Sequence, residues 1–148
     1  MKYEVYTDVV ALDDLSEFDF ISNGKKGPIR KRVAFTATEM DNVYNLVLGD
    51  VGEDGEIDDL SVSDNGDRNK VLATVEDIVT SYTDRYPERW ILFQGSTESR
   101  TRLYRMAIGL HLEELSVRFE ICTFVEKQLV PFCKNMEVKG FVIKRKKA

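Results

Sequence analysis

Apolar and polar residues alternate along the first third of the chain, a pattern typical of strands with one face in solvent. Residues 18–21 alternate loosely and run into the turn-forming sequence Ser-Asn-Gly-Lys-Lys-Gly-Pro at 22–28. A second alternating stretch covers 29–35, and apolar residues occupy both faces of 43–48. After an acidic, glycine-rich connection, 57–62 is suited to a short antiparallel return strand. The pattern therefore predicts a meander of four strands.

Apolar residues then recur at helical spacing between Val71 and Tyr82. Asn65 and Asp67 precede this stretch and are suited to capping the free N–H groups of a helix start, and Pro87 closes it. We expect the first helix here.

A second helix is predicted after a short apolar strand at 90–93. Ser96 or Thr97 is a natural N-cap, and an apolar stripe runs over 103–110 to an end near Leu115. The arrangement is a strand, a turn and a helix.

Strands at 119–124 and 138–143 complete the pattern, with 129–132 as a short edge piece or loop. The order ββββ-α-β-α-ββ predicts a single α+β domain over residues 1–148. Because strands gather at both ends of the chain, we expect a mainly antiparallel sheet of about six to seven strands backed by two helices. The β-α-β-α run can add one parallel pair.

Composition is that of a folded protein, with 43% hydrophobic and 32% charged residues. The chain begins without a basic segment followed by an apolar run, and no stretch approaches the length that spans a bilayer, so we expect a cytoplasmic protein without a membrane partner. Cys122 and Cys133 have no CxxC or nearby histidine, which predicts buried free thiols.

The formal net charge of −5 argues against a protein that coats nucleic acid by its overall field, yet charge is unevenly spread. Acidic residues gather at 50–59, and basic residues gather at 25–32, 100–105 and 144–147. We interpret the acidic loop and the basic tail as solvated surface. The basic strand at 30–32 is suited to a nucleic-acid backbone, although protection of a sheet edge explains the same charges.

The start of the second helix is the strongest candidate for chemistry, because hydroxyls, free N–H groups and arginines meet there. Such a helix start suits a phosphate or carboxylate. The candidate anion-binding residues are Ser96, Thr97, Arg100, Arg102, Tyr104 and Arg105. Simple capping, with the arginines paired to surface acids, is the alternative.

His111 is the only histidine and therefore the one side chain whose ordinary pKa lies near neutrality. It is a weak candidate for a general acid or base, and a partly buried structural histidine is the alternative. The spacing of the residues matches no nucleophilic triad, P-loop or HExxH motif. We therefore expect neither a metal nor a cofactor.

The start of the first helix carries a similar polar cluster, in which Asn65, Asp67 and Lys70 are secondary cleft candidates. If both helix starts lie at the same end of the sheet, they frame a shared polar cleft. Capping and turn geometry explain the same residues without a ligand. The acidic segment 49–56 lacks the residue order of a calcium loop.

Five segments, at 42–46, 55–59, 65–67, 95–97 and 100–105, resemble a bacterial family of unknown function that is seen mostly in Bacteroidota. The resemblance covers nearly the whole chain. It implies no activity that can be transferred to individual positions.

Three functions follow as hypotheses. The first is a small binding domain that holds a phosphate-bearing ligand or RNA at the second helix start. The second is a metal-independent ribonuclease, toxin-like in type, in which Arg100, Tyr104 and His111 converge. The third is a structural domain that binds a small protein partner.

Overall fold

A computed structural model describes residues 3–58, 65–94, 98–126, 128–132 and 140–146. Its strands are β1 (Val10–Ala11), β2 (Glu17–Gly24), β3 (Gly27–Ala37), β4 (Val43–Val51), β5 (Ile57–Asp58), β6 (Trp90–Phe93), β7 (Phe119–Val125), β8 (Gln128–Pro131) and β9 (Phe141–Arg145). Its helices are α1 (Arg68–Arg85), α2 (Glu98–Leu110) and α3 (Leu112–Ser116).

The strands of the described residues form one mixed sheet in the order β1-β2-β3-β4-β6-β9-β7-β8, with β5 paired to β4. β4 and β6 run parallel, whereas the other described registers are antiparallel. The predicted α+β class with a mainly antiparallel sheet is confirmed. The parallel pair comes from the β-α-β connection through α1, as the element order indicated.

The predicted strand count and helix count are wrong in detail, since the described residues hold nine strands and three helices. β1 has only two residues, too few for an alternating pattern to register, and the edge piece at 128–131 is a full strand. The predicted second helix is interrupted at His111, whose φ of −114° and ψ of 22° lie outside helical values. Two short helices replace one.

Contacts between Cα atoms group the chain into two compact units, described separately below. The first unit comprises Met1–Thr36 and Val47–Tyr82, and the second comprises Ala37–Leu46 and Thr83–Ala148. The core of the first unit is aromatic: the rings of Phe35 and Tyr82 stack with centroids 3.8 Å apart, and Phe18 meets Phe35 edge-on. These rings fix α1 on β2 and β3.

The core of the second unit lies on one face of its strands. The ring of Phe93 on β6 stacks on Phe141 of β9 at 5.5 Å and meets Tyr104 of α2 edge-on at 5.7 Å. Phe132 packs against the same Phe141 ring at 5.9 Å. Helix α2 is therefore anchored on the face of the sheet that carries Phe93.

Buried charge in the first unit is paired within the sheet. The Lys31 ammonium lies 2.6 Å from the Asp50 carboxylate, and the Lys31 side chain is only 9% exposed. Losing one partner of such a pair leaves the other charge desolvated and uncompensated.

We expect Asp50→Ala to lower the free energy of unfolding by about 3 kcal/mol, because it strands the Lys31 ammonium. Replacing both partners with apolar residues, Lys31→Met with Asp50→Leu, should recover most of that loss. Denaturant unfolding of the three proteins measures the difference.

Arg30→Ala is the matched control, because Arg30 pairs with Asp19 while its side chain is 51% exposed. Its cost should stay below about 1 kcal/mol. An Asp50→Ala cost no larger than that of Arg30→Ala would contradict the expected penalty of burial.

Candidate functional site

The anion site predicted at the start of α2 is described only in part. Ser96 and Thr97, and the side chain of Arg100, lie outside the described residues. Arg102 is exposed and Arg105 is half-buried. The predicted anion site at this helix start stays a prediction.

Tyr104, the remaining residue of that set, belongs to the core of the second unit. It is 5% exposed and packs edge-on against Phe93. The ring thus anchors α2 to the sheet, while the neighbouring Arg102 faces solvent.

His111 lies at the break between α2 and α3. Its Nδ1 is 3.9 Å from the carboxylate of Glu114, three residues further on, and the imidazole is 18% exposed. His111 also starts α3, since its carbonyl accepts the N–H of Leu115. These contacts give it a structural position; its catalytic role stays a prediction.

The secondary candidates at the start of α1 do come together, around the side chain of Asn65. This side chain is 2% exposed and bridges the β2–β3 turn to the helix start. Its Nδ2 donates to the Gly27 carbonyl at 2.9 Å and to the Ser22 hydroxyl at 3.1 Å, while its Oδ1 accepts the Lys26 N–H at 2.6 Å. One amide therefore satisfies both sides of the turn.

Asp67 is the second member of this cluster. Its Oδ2 accepts hydrogen bonds from the Tyr6 hydroxyl and, at 2.5 Å, from the Ser22 hydroxyl. The Asp67 carbonyl accepts the first helical bond from Val71, so Asp67 is the N-cap of α1. Its carboxylate holds the β2 strand and the N-terminal segment instead of the helix N–H groups.

Lys70 lies over the Tyr6 ring, with Nζ 4.3 Å from the centroid and 3.9 Å from the carboxylate of Glu4. The Tyr6 N–H donates to the Thr74 hydroxyl at 2.9 Å, and the Tyr6 ring stacks on Phe20. Asp67 and Lys70 therefore hold the N-terminal segment on α1, and together with Asn65, which holds the β2–β3 turn, they form a clamp around the helix start.

An open pocket of 610 Å³ lies beside this clamp. Its lining residues carry both signs of charge and are Tyr3, Glu4, Gly66, Asp67, Arg68, Asn69 and Lys70. Because Glu4 and Asp67 oppose Arg68 and Lys70, the pocket does not select for either sign of charge. The cluster is best explained as a structural clamp.

Gly24 packs closely against Asn65 of this clamp. A Cβ at Gly24 would lie 1.8 Å from the backbone oxygen of Asn65, whose carbonyl accepts the Lys25 N–H. Backbone atoms on both sides leave nothing that can move aside cheaply.

We expect Gly24→Ala to lower the free energy of unfolding by about 2 to 3 kcal/mol through overpacking. Gly109→Ala is the matched control, because a Cβ there meets nothing within 4 Å. In the last turn of α2 it should raise stability, by less than about 1 kcal/mol, through helix propensity. Thermal unfolding of both variants decides the point, and equal effects would argue against the close contact.

Tyr6 gives the clamp a pH dependence. Burial, and then its hydrogen bond to Asp67, raise the pKa of the Tyr6 hydroxyl above its ordinary value. The folded state favours the neutral phenol, so this stabilisation is complete below the pKa of the unfolded chain and is lost as pH rises through the folded pKa.

Tyr6→Phe should lower the free energy of unfolding by about 1 kcal/mol at neutral pH, because the hydrogen bond to Asp67 is removed. Above about pH 10 the difference from the natural chain should shrink, because the natural chain loses the same contribution by ionisation. Urea unfolding across that range measures it. Tyr3→Phe is the control at neutral pH, since Tyr3 is 43% exposed; a difference that grows with pH would refute the account.

The basic strand that suggested a nucleic-acid backbone is engaged within the first unit. Asp19 accepts hydrogen bonds from Arg30 at 2.6 Å and from Arg32 at 2.8 Å. Burial alone would raise the pKa of Asp19, but these two guanidinium groups outweigh it and hold the pKa below its ordinary value. Arg30 and Arg32 are therefore engaged in ion pairs on the sheet.

A second basic surface, of which the sequence patterns revealed only the basic tail, lies at one end of the strands of the second unit. We call it the basic edge; it consists of Arg85, Arg89, Arg118, Lys144, Arg145 and Lys146 together with the rings of Tyr44, Tyr86, Trp90 and Phe119. Strand pairing brings these residues together. The first residues of β4, β6 and β7 and the last residues of β9 all lie at the same end of the sheet. The N–H of Lys146 donates to the carbonyl of Arg118 at 2.8 Å.

Arg89 lies over two aromatic rings of the basic edge. Its guanidinium carbon lies 3.8 Å from the centroid of the Tyr86 ring and 4.1 Å from that of Tyr44. Lys144 lies 5.5 Å from the centroid of Trp90. A cation over a ring is held in place by the ring's quadrupole, so these charges occupy defined positions.

Arg145 ties the basic edge to the end of α1. It donates to the Thr83 hydroxyl at 3.1 Å and pairs with Asp84 at 2.6 Å. The acidic residues near these positions along the chain are Asp84, Glu88 and Glu120, and Glu39 and Asp41 directly precede β4 at the same end. The six basic residues outnumber these five, in a chain whose formal net charge is −5.

The thiol of Cys122, on β7, is free as predicted, but it is half-buried where a buried thiol was predicted. Burial, with the carboxylate of Glu120 adding to it, raises the pKa of this thiol and so lowers its reactivity. Cys133 lies outside the described residues. Within the described residues, no group of histidine, cysteine and acidic side chains is placed to hold a metal ion.

The fold and its surfaces define a small α+β domain with a ring-supported basic edge. The chain belongs to the family of unknown function DUF6934, whose sequence profile matches residues 2–146. The resemblance to a family of unknown function is thereby confirmed. None of the curated proteins and none of the solved structures compared with the chain matches it. Across the described residues, every helix is too short or too polar to cross a membrane.

Proposed function

We propose that this protein is a binding domain for a phosphate-bearing polymer, a nucleic acid, which it holds at the basic edge. The observation that carries the proposal is the guanidinium of Arg89, held over Tyr86 and Tyr44 at 3.8 and 4.1 Å among further basic side chains. The proposal keeps the type of ligand that the sequence suggested and moves the site from the start of α2 to the basic edge.

A guanidinium held by rings is suited to phosphate because the two interactions use different parts of the group. Stacking on an aromatic ring uses the flat face of the guanidinium, whereas its N–H donors point outwards in the plane. A phosphate oxygen accepts from that fork in a fixed geometry. Holding the side chain beforehand also lowers the entropy cost of binding.

The spacing of the basic edge favours a polymer over a small anion. Lys144 lies on β9 and Arg118 directly precedes the neighbouring strand β7, while Arg85 and Arg89 flank the end of α1. Strands are about 4.8 Å apart, so these charges spread over a surface wider than one phosphate. A chain of phosphates can contact several of them in succession.

The proposal contains binding and no cleavage step. A metal-independent ribonuclease needs a general acid and base beside the scissile phosphate. Of the three residues predicted for that role, Tyr104 packs in the core and His111 lies between α2 and α3, and the Arg100 side chain lies outside the described residues. The ribonuclease and protein-partner hypotheses stay predictions.

The test is a charge reversal at the basic edge. We expect Arg89→Glu with Lys144→Glu to weaken binding of RNA or DNA oligonucleotides at least tenfold at about 100 mM salt, because ion pairs with phosphate dominate such affinities. The slope of log affinity against log salt should fall by about one for each phosphate that the variant no longer binds. Fluorescence anisotropy across a salt series measures both quantities.

Lys25→Glu with Lys26→Glu is the matched control, because it also reverses two positive charges, here at exposed residues of the first unit. It should leave affinity and salt slope close to those of the natural chain. Arg102→Glu separates the two locations: if it abolishes binding while the edge variant binds normally, the anion site is the helix start predicted from sequence and the basic edge is refuted. Equal losses in all three variants would show a response to net charge alone, which also refutes the edge.

A further inference from the structure

Strands β6 and β7 of the second unit each have one buried face and one more exposed outer face, whereas residues 141–143 of β9 between them are buried on both faces. Along β7, Phe119, Ile121 and Thr123 are 1%, 7% and 1% exposed. The alternate residues Glu120 and Phe124 are exposed, with Phe124 at 43%. Such strict alternation belongs to a sheet that is covered on one side.

Contacts of α1 and α2 lie on the buried face. Arg145 shares that face with Phe119, its partner in register, and bonds to Thr83 of α1. Tyr104 of α2 packs against Phe93. Because Phe93 and Trp90 are three residues apart on β6, their side chains point to opposite faces of the sheet. The side chains of Trp90 and Lys144 therefore lie on the outer face.

Two aromatic rings stand on this outer face. Trp90 on β6 is half-buried and has the Lys144 ammonium 5.5 Å from its centroid. Phe124 on β7 is 43% exposed, and its register partner on β8, Leu129, is 45% exposed. Val142 of β9 lies between the two rings, and its side chain is only 1% exposed.

The distance between the rings exceeds one base. One strand, β9, separates β6 from β7, which places Trp90 and Phe124 about 10 Å apart across the strands. They are also offset by four residues, or about 13 Å, along the strand direction. Two bases of one strand can stack on the two rings, but a single base cannot reach both.

We infer that the outer face, through Trp90 and Phe124, stacks the bases of a single-stranded nucleic acid that runs from the basic edge, beside Trp90, towards Phe124. This inference rests on the proposed function and names the kind of nucleic acid that the site takes. Stacking on aromatic rings accepts every base, because every base has a π face.

The alternatives fit the surface less well. A duplex keeps its bases stacked inside the helix, so its bases cannot reach rings on a flat sheet. A second copy of this chain would bring the same cations, Lys144 among them, against one another, and like charges facing each other cost affinity. A single strand supplies both the flat apolar bases for the rings and the negative charge for the edge.

Trp90 is the only tryptophan in the chain, so the intrinsic fluorescence of the intact protein reports on this ring alone. We expect a single-stranded thymidine oligonucleotide to quench it on binding. An oligomer of the same length without bases should bind at least about tenfold more weakly, given the contribution of one or more stacked bases. The same sequence as a duplex should also bind more weakly and leave the fluorescence unchanged.

Three variants locate the stacking. Phe124→Leu keeps the apolar surface but removes the π face, and should lower affinity for the single strand about five- to tenfold. Trp90→Phe keeps a ring and should retain most of the affinity, whereas Phe124→Tyr should be equivalent to the natural chain. Ile21→Ala is the matched control, since Ile21 is an apolar strand residue of the first unit, 42% exposed, and should change nothing.

Each outcome has a fixed meaning. The inference is overturned if the oligomer without bases binds equally well and Phe124→Leu changes nothing. If that binding is still salt-dependent and abolished in the basic-edge variant, the proposed function stands. Tighter binding of the duplex overturns the inference in the same way. Absence of any nucleic-acid binding refutes the proposed function and this inference together, and concentration-dependent dimerisation abolished by Phe124→Leu would assign the outer face to a second copy instead.

Discussion

The first unit depends on one buried amide. Asn65 is 2% exposed, and its side chain bonds to the carbonyl of Gly27, the N–H of Lys26 and the hydroxyl of Ser22. Without these partners the donor and acceptor atoms of the buried Asn65 amide would be unsatisfied, which costs more than a hydrogen bond gains in water. The turn between β2 and β3 and the start of α1 are thereby fixed to each other, and no residue without an amide can satisfy donor and acceptors at once.

Much of the fold follows from patterns that a sequence displays locally. Alternation over 29–35 and helical spacing between Val71 and Tyr82 depend only on near neighbours, and both elements are present. The break at His111 was not predictable in this way, because apolar residues continue on both sides of it and a single non-helical ψ interrupts no pattern. β1 is too short to carry a period at all.

The basic edge could not be predicted for a different reason. Arg89, Arg118 and Lys144 lie far apart along the chain, and only the register of β6, β9 and β7 brings them to the same end of the sheet. Asn65 and Asp67, by contrast, were singled out because capping is local, and the structure places both at the start of α1. Local chemistry was visible in the sequence, and chemistry assembled by strand pairing was not.

The two basic clusters show why the partner of a cation matters more than its position in a basic run. Arg30 and Arg32 share the carboxylate of Asp19, which neutralises charge and occupies N–H donors. Arg89 rests on the rings of Tyr86 and Tyr44, and a ring holds a cation without cancelling its net charge. Carboxylate pairing therefore places a negative charge beside an arginine, whereas a ring adds no charge of its own beside the cation that it positions. That difference is the physical reason for assigning binding to the basic edge and not to the basic strand that the sequence made conspicuous.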